Sequence, residues 1–364
     1  MMKYKRLGNS GLKVSEICFG TMNFGQKNND FGSTDREARE CFDAFVDAGG
    51  NFFDTANMYH QGYSEKLLGQ FVKRERDRYV IASKITFTPH PHHAMYPHDP
   101  NGAGNSRKNL RRELEDDLRR LDTDYLDVLY LHCWDFSVPA TELMSTLNDF
   151  VREGKVLYLG VTNAPAYLVT EANMIARQHG WAEFVACEGQ MNLMNRTIER
   201  EVLPMCDHFG MSLTVYEALA AGLFCGNEEE IKMRFNGRNY AKPMPRELAL
   251  VEQASAIAKE VGASIPQVAI AWVKQKGDNI IPIIGGRIRQ HVEENMKCLE
   301  VVLSEEQIKK LDSLSSLELG FPQDMILPLN GWVYNHQFDN IEMGDVLPKW
   351  FSHEVTRMTI LDNL

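Results

Sequence analysis

The 364-residue chain has no run of apolar residues long enough to cross a bilayer. Its longest uncharged apolar stretch, Ala218 to Cys225, covers eight residues, where about 20 are needed. Paired cysteines are missing too. The seven cysteines, at 18, 41, 133, 187, 206, 225 and 298, are odd in number and include no CxxC pair, which excludes a zinc ribbon or a complete disulfide framework and fits reduced thiols. Basic charge is in deficit: 39 Lys plus Arg against 50 Asp plus Glu leave a formal net charge of −11, which argues against nucleic acid or a membrane surface as partner. The opening stretch, MMKYKRLGNSGLKV, lacks a hydrophobic signal region, so the expected location is cytoplasmic. No internal repeat, low-complexity tract or linker divides the chain. With 44% hydrophobic residues, it carries enough apolar material for a large core.

What is present is an alternation of short β-type runs with helical patterns. The strands are expected at Glu16–Gly20, Asn51–Asp54, Val80–Lys84, Leu126–His132, Leu157–Val161, Phe184–Glu188, Leu213–Tyr216 and Ile280–Ile284. Thr34 and Glu37 predict a capping box, with Ala38, Cys41, Phe42 and Phe45 at helical spacing and Gly49–Gly50 as the stop. Ser106 predicts the cap of a helix with Leu110, Leu114, Leu118 and Leu121 as its apolar stripe. Pro139 to Glu153, Pro165 to His179 and Glu247 to Val261 read the same way. Eight apolar strands separated by helices predict an α/β fold, a closed (β/α)8 TIM barrel with helices outside. An open doubly wound sheet would carry a glycine-rich fingerprint after its first strand, and Gly20-Thr21-Met22-Asn23-Phe24-Gly25 has the wrong spacing. Ahead of the barrel, Tyr4–Leu7 and Leu12–Ser15 predict a β-hairpin plugging its base. Residues 1–316 are thus expected to form the barrel and 317–364 a C-terminal extension packing on it or on a partner. That extension has seven acids and two bases, yet it keeps Phe321, Trp332, Tyr334, Phe338, Trp350 and Phe351.

Barrel chemistry collects at the carboxyl ends of strands. Those ends carry Asp54, with Tyr59 in the loop just beyond, then Lys84 and His132. Each would face an apolar mouth and cost desolvation energy unless paired. Asp54 and Lys84 are expected to neutralise each other. An ammonium beside Tyr59 is expected to lower the phenol from about 10 toward working pH, making it a proton donor to a carbonyl oxygen. His132 is expected to orient the substrate or share the proton.

The stretch Asp54-Thr55-Ala56-Asn57-Met58-Tyr59, with Gly62, Ser64-Glu65 and Leu68-Gly69 after it, resembles the signature of the aldo-keto reductase family. Lys84 and His132 sit where that family keeps the rest of its tetrad, and Arg120-Leu121 with Thr123-Asp124-Tyr125-Leu126-Asp127 is also similar. The resemblance implies Tyr59 as general acid, Asp54 and Lys84 as its tuners, and His132 as the group that orients a small-molecule carbonyl substrate. It further implies a nicotinamide cofactor, with NADP(H) preferred over NAD(H). Gly20, Thr21 and Met22 then line the cofactor near Asp54. Asn163 and Gln190 hold the carboxamide, with Thr162 beside Asn163 also on the cofactor, and Tyr216 stacks on the ring. Glu217, Leu219 and Gly222 run along the cofactor beyond Tyr216. Gly286, Arg287, His291, Glu294 and Asn295 hold the adenosine end, where Arg287, with Arg289 nearby, meets a 2′-phosphate. Where the family has Ser-Pro-Leu, this chain has Glu217-Ala218-Leu219. A carboxylate there repels a pyrophosphate unless it points outward or takes a basic partner.

His90, His92, His93 and His98 invite a metal reading, but they lack regular ligand spacing and prolines break the segment, so no metal is expected. The loop spanning Phe87–Asn105 is expected to face substrate, with Phe24, Tyr59, Trp134 and tail aromatics such as Trp332 as further pocket walls. The rival reading is a cofactor-binding regulatory subunit on the same barrel with little turnover. A homo-oligomer is compatible with either reading.

Overall fold

The computed structural model describes residues 2–25, 32–89, 98–226, 245–315 and 317–326. Strands β1 (Tyr4–Arg6) and β2 (Lys13–Ser15) pair antiparallel as the expected hairpin. Its turn docks on the barrel floor: Gly8 N–H donates to Ser212 Oγ at 2.7 Å, and Asn9 Nδ2 donates to Phe209 O at 3.0 Å. Leu7 and Val14 fill the space above with no exposed surface.

Eight parallel strands then close into a barrel. They are β3 (Cys18–Gly20), β4 (Phe52–Asp54), β5 (Val80–Ile85), β6 (Leu126–Leu131), β7 (Val156–Thr162), β8 (Phe184–Gln190), β9 (Ser212–Tyr216) and β10 (Ile280–Ile284). Each overlaps its expected run, with ends that move by one or two residues. Helices α1 (Asp35–Asp47), α2 (Tyr63–Val72), α3 (Arg107–Leu121), α4 (Ala140–Arg152), α5 (Ala166–His179) and α6 (Val202–Phe209) follow β3 to β8 in turn. The Thr34–Glu37 capping box opens α1, and Ser106 Oγ accepts from Asn109 N–H at 3.3 Å to open α3. Helix α2 and the helices at Ile265–Lys274, Arg289–Met296 and Glu305–Leu314 complete the shell; the sequence patterns above had not marked them. Phe24, expected on a pocket wall, is instead fully buried. Its ring sits 5.7 Å from Phe19 and 5.8 Å from Phe71 in an aromatic cluster under α1 and α2.

The pleat decides what reaches the active end. Inward positions Phe52, Ala82, Tyr130 and Ala186 pack together inside the barrel. Two residues further on, at the same facing, stand Asp54, Lys84, His132 and Glu188. An apolar plug therefore carries a polar layer on top of it.

A second buried network holds the loop that bears Tyr59. Glu65 on α2 accepts from Ser83 Oγ of β5 at 2.6 Å and from Arg120 Nε of α3 at 2.5 Å, while Arg120 Nη2 reaches Asp117 Oδ1 at 2.5 Å. Glu113, also on α3, accepts from Asn57 Nδ2 at 2.9 Å, two residues before Tyr59. Gly62 fits here because its φ is +83° and a Cβ would lie 2.5 Å from Arg120 Cδ. Glu65 and Asp117 have no exposed surface, and burial pushes both carboxyls up. Replacing Arg120 by Leu leaves both without their cation, so the expected loss of stability is about 3–5 kcal/mol. Denaturant unfolding of the full chain measures it, and a loss below about 1 kcal/mol would remove this network from the forces that hold α2.

Candidate active site

Asp54 ends β4, and the chain then turns sharply to present Tyr59. His60, Gln61 and Gly62 take φ values of 46°, 57° and 83°, three left-handed residues in a row. Such a run costs energy at the two non-glycine positions. It is held by Tyr59 N–H on Ala56 O at 3.1 Å and by the α2 network just described. Lys84 rises from β5 with its ammonium fully buried. Its Nζ donates to Asp54 Oδ1, to Thr55 O at 3.0 Å and to the Tyr59 hydroxyl at 3.5 Å. His132 follows β6 with its ring edge-on to Tyr59, centroids 6.4 Å apart, and to Phe87 at 4.8 Å. The four side chains expected from strand ends therefore do converge.

A fifth group joins them. Glu188, on β8, places Oε2 3.4 Å from Lys84 Nζ, beside the same ammonium that Asp54 holds. It is 4% exposed. Sequence reading had used Glu188 only as a strand end. The signal that marks it is its inward register: it lies two residues beyond Ala186, on the same face that brings Lys84 up from Ala82.

This second carboxylate changes the electrostatics expected for Tyr59. The ammonium does pull the phenol down, but burial pushes it up, and Asp54 and Glu188 push the same way. The net movement is upward from the ordinary tyrosine value, so the expected lowering toward working pH is not found. Tyr59 is a neutral phenol over the whole physiological range. Burial moves His132 the other way: desolvation, with Lys84 nearby, lowers the imidazole to about 3. It is neutral as well, and its Nδ1 has no hydrogen-bond partner among the described residues. The remaining charge sits on Lys84 and Asp54. Burial and the Asp54 charge raise Glu188 to about 8.

Beside this cluster lies a cavity of about 270 Å³ whose walls include Asn163, Glu188, Gln190, Asn195 and Tyr216. Tyr216 Oη donates to Asn163 Oδ1 at 3.0 Å, and Asn163 Nδ2 donates to His132 O at 3.0 Å. Gln190 accepts from Asn195 Nδ2 at 2.8 Å and donates to Glu217. A flat aromatic ring beside side-chain amides suits a heteroaromatic carboxamide. The other expected cofactor residues divide. Thr21 is buried and spends its hydroxyl on Asp54 O and Ser64, while Thr162 spends its own on Glu188 O at 2.7 Å; both brace strand ends. Gly20 and Met22 flank Thr21 at the mouth, with Met22 exposed. Glu217 is exposed, and among the described residues Gln190 rather than a cation is its partner. Leu219 and Gly222 shape the turn after it, where Gly222 N–H donates to Leu219 O at 3.0 Å.

At the far side, Asn295 donates to Gly285 O at 2.9 Å, and Glu294 pairs with Lys297 at 2.7 Å. Gly286 closes against Val292, and His291 N–H bonds Ile288 O at 3.0 Å. Arg287 is half-buried, its carbonyl held by Ser33 Oγ at 2.8 Å and its charge felt by Glu37. Arg289 turns away to Glu293 and Asp47. His90, His92, His93 and the tail aromatics from Trp332 onward lie outside the described residues.

The electrostatics make a checkable statement about His132. With its ring depressed to about 3, it stays neutral from pH 5 upward. Its native state binds fewer protons than the unfolded chain, so the stability it contributes is present above about 6.5 and is lost as pH falls from there toward about 3. Ring-proton NMR of the wild-type protein is expected to show no His132 titration between about pH 5 and 8. A midpoint near 6.5 would contradict the buried, uncharged imidazole.

Comparison with known proteins agrees with this geometry. The sequence model of the Aldo/keto reductase family matches residues 16–316. An aryl-alcohol dehydrogenase of Pestalotiopsis microspora is 37% identical over 91% of this chain and 86% of its own length. Norsolorinic acid reductase B of Dothistroma septosporum is 39% identical over 89% of this chain and 84% of its own. An aldo-keto reductase of Aspergillus calidoustus is 37% identical over 87% and 83%. The chain belongs to the aldo/keto reductase family and is by type an NAD(P)H-dependent carbonyl reductase.

Proposed function

We infer that the chain reduces an aldehyde or ketone to the alcohol, using NADP(H) in preference to NAD(H) and Tyr59 as the proton donor. One observation carries the reading: the Lys84 ammonium is buried, held by Asp54, and stands 3.5 Å from the Tyr59 hydroxyl at the open end of the barrel. When bound, the nicotinamide supplies the hydride. As the carbonyl carbon gains that hydride, negative charge grows on its oxygen, and Tyr59 delivers the hydroxyl proton there. The raised phenol suits this task, because an alkoxide is a far stronger base than any phenolate. Lys84 stabilises the phenolate left behind. Neutral His132 orients the carbonyl oxygen as a hydrogen-bond donor, without competing as an acid.

The loops leaving β3 to β6 carry exposed Met22, Met58, Phe87 and Phe136. That apolar and aromatic rim favours a planar aromatic carbonyl, and relatives named for aryl alcohols and norsolorinic acid point the same way. The NADP preference rests on Arg287, which stands at the end of β10 beside the Ser33 segment. A guanidinium there matches a 2′-phosphate.

Tyr59→Phe removes the proton while keeping the ring. The expected drop in kcat/KM for an aromatic aldehyde is roughly 10²–10⁴-fold, with NADPH affinity nearly unchanged by fluorescence titration. Undiminished reduction by that variant would take the acid role away from Tyr59. Arg287→Met should weaken NADPH binding by about tenfold or more and leave NADH alone. Equal losses for both cofactors would count against a phosphate site there.

A further inference from the structure

Lys84 has two buried carboxylates where one would neutralise it. Asp54 holds the ammonium directly, and Glu188 Oε2 lies 3.4 Å from the same nitrogen. Two buried carboxyl groups that share one ammonium cannot both be ionised cheaply, so one keeps a proton until an outside base removes it. Asp54 has the closer cation, which leaves the proton on Glu188. Among the described residues no other cation neutralises it: the titratable groups there that face Glu188 are Asp54 on β4, Lys84 on β5, Tyr59 in the loop after β4, Cys18 on β3, Tyr130 on β6 and Tyr216 on β9. Of these, Lys84 alone is positive. Glu188 also sits on the cavity wall, so its proton has a path to solvent that the deeper Tyr130 and Cys18 lack.

We propose that Glu188 is a titrating positioning residue for the Lys84–Tyr59 pair: protonated, it leaves Lys84 free to stabilise the Tyr59 phenolate, and ionised, it draws that charge away and slows carbonyl reduction. The idea rests on the reading of Tyr59 as proton donor, and it adds a pH response that the Asp54–Lys84 pair alone would not have. The step moves a single proton. Glu188 gives it to water above its titration point and takes it back below. Asp54 stays ionised and Lys84 stays protonated, so the buried triad passes from neutral to a net charge of −1. That extra negative charge lies next to the phenolate the reaction must create. With Glu188 raised to about 8, the change falls in the mildly alkaline range. Reduction is fastest below that point and falls as pH rises through it.

The test pairs a spectrum with a rate. In the free wild-type enzyme, the infrared carbonyl stretch of a protonated carboxyl should be present at neutral pH, disappear with a midpoint near 8, and be absent from Glu188→Gln. In steady-state kinetics with NADPH and an aromatic aldehyde, wild-type kcat/KM should fall about tenfold between pH 7 and 9.5, while Glu188→Gln stays flat over that interval. Glu188→Asp, which keeps a carboxyl, should restore a fall. A titrating band lost in Glu188→Gln together with a flattened profile supports the proposal. Lack of the band, or one profile shared by wild type and Glu188→Gln, overturns it. Should Glu188→Gln fail to fold, the infrared titration of wild type decides alone. Tyr59→Phe keeps the two questions apart: if it reduces carbonyls as wild type does, the acid assignment falls, and the infrared result still judges whether Glu188 titrates.

Discussion

The active end of this barrel is organised around one buried ammonium. Lys84 has no exposed surface, and an isolated charge at that depth is prohibitively costly. Every polar group around it answers that cost. Asp54 and the Thr55 carbonyl take its hydrogens, and Glu188 stands close behind. The ion pair contributes little net stability, since hydrophobic replacements would fill the space as well. What it provides is a fixed positive potential beside one phenol. Removing either carboxylate or the lysine would unbalance the rest, which is why the site is better regarded as a single charged body than as separate catalytic side chains.

That body is held by strand register more than by side-chain contacts. Phe52, Ala82, Tyr130 and Ala186 pack inside the barrel, and the next inward residue on each strand is the functional one. A closed parallel sheet cannot slip by one residue without turning its plug to the outside. The geometry of Asp54, Lys84, His132 and Glu188 is therefore as stiff as the sheet. Tyr59 is the exception, because it lies on a loop. Its place is secured by a left-handed turn and by the buried carboxylates of α2 and α3, where Arg120 and Asn57 act as ties. The second ionic network therefore serves the first: it fixes the one catalytic group that the strands cannot.

This division explains what was legible in the sequence. The eight strands, the hairpin and the capped helices follow from period and cap chemistry, which are local, and they were read correctly to within a residue or two. Asp54, Lys84 and His132 could be found because strand ends are recognisable from the chain alone. Glu188 was missed although the expected run Phe184–Glu188 ends on it, because only the inward phase set by Ala186 distinguishes it from a solvated strand-end acid. The sign of the Tyr59 shift went wrong for the same reason. One cation was counted, while the second carboxyl group and the burial come from non-local packing. Phe24 was misplaced because a hydrophobic residue after a strand end looks the same whether it faces the mouth or the shell.

The link between Glu188 and the cavity gives the site its directionality. Strand β8 presents Glu188 and Gln190 on one face, the first touching Lys84 and the second bonded to Asn195 and Glu217. Thr162 grips the Glu188 carbonyl from β7, and the next residue, Asn163, joins His132 to Tyr216. Proton chemistry and the aromatic wall are thus wired through two adjacent strands with almost no slack. A group that settled against Tyr216 and displaced the Asn163 or Gln190 partners would act on the same backbone that sets the distance from Glu188 to Lys84. Occupancy of the cavity and the charge state of the triad therefore cannot be independent. Positive charge entering the cavity favours the ionised form of Glu188, and its departure favours the protonated form.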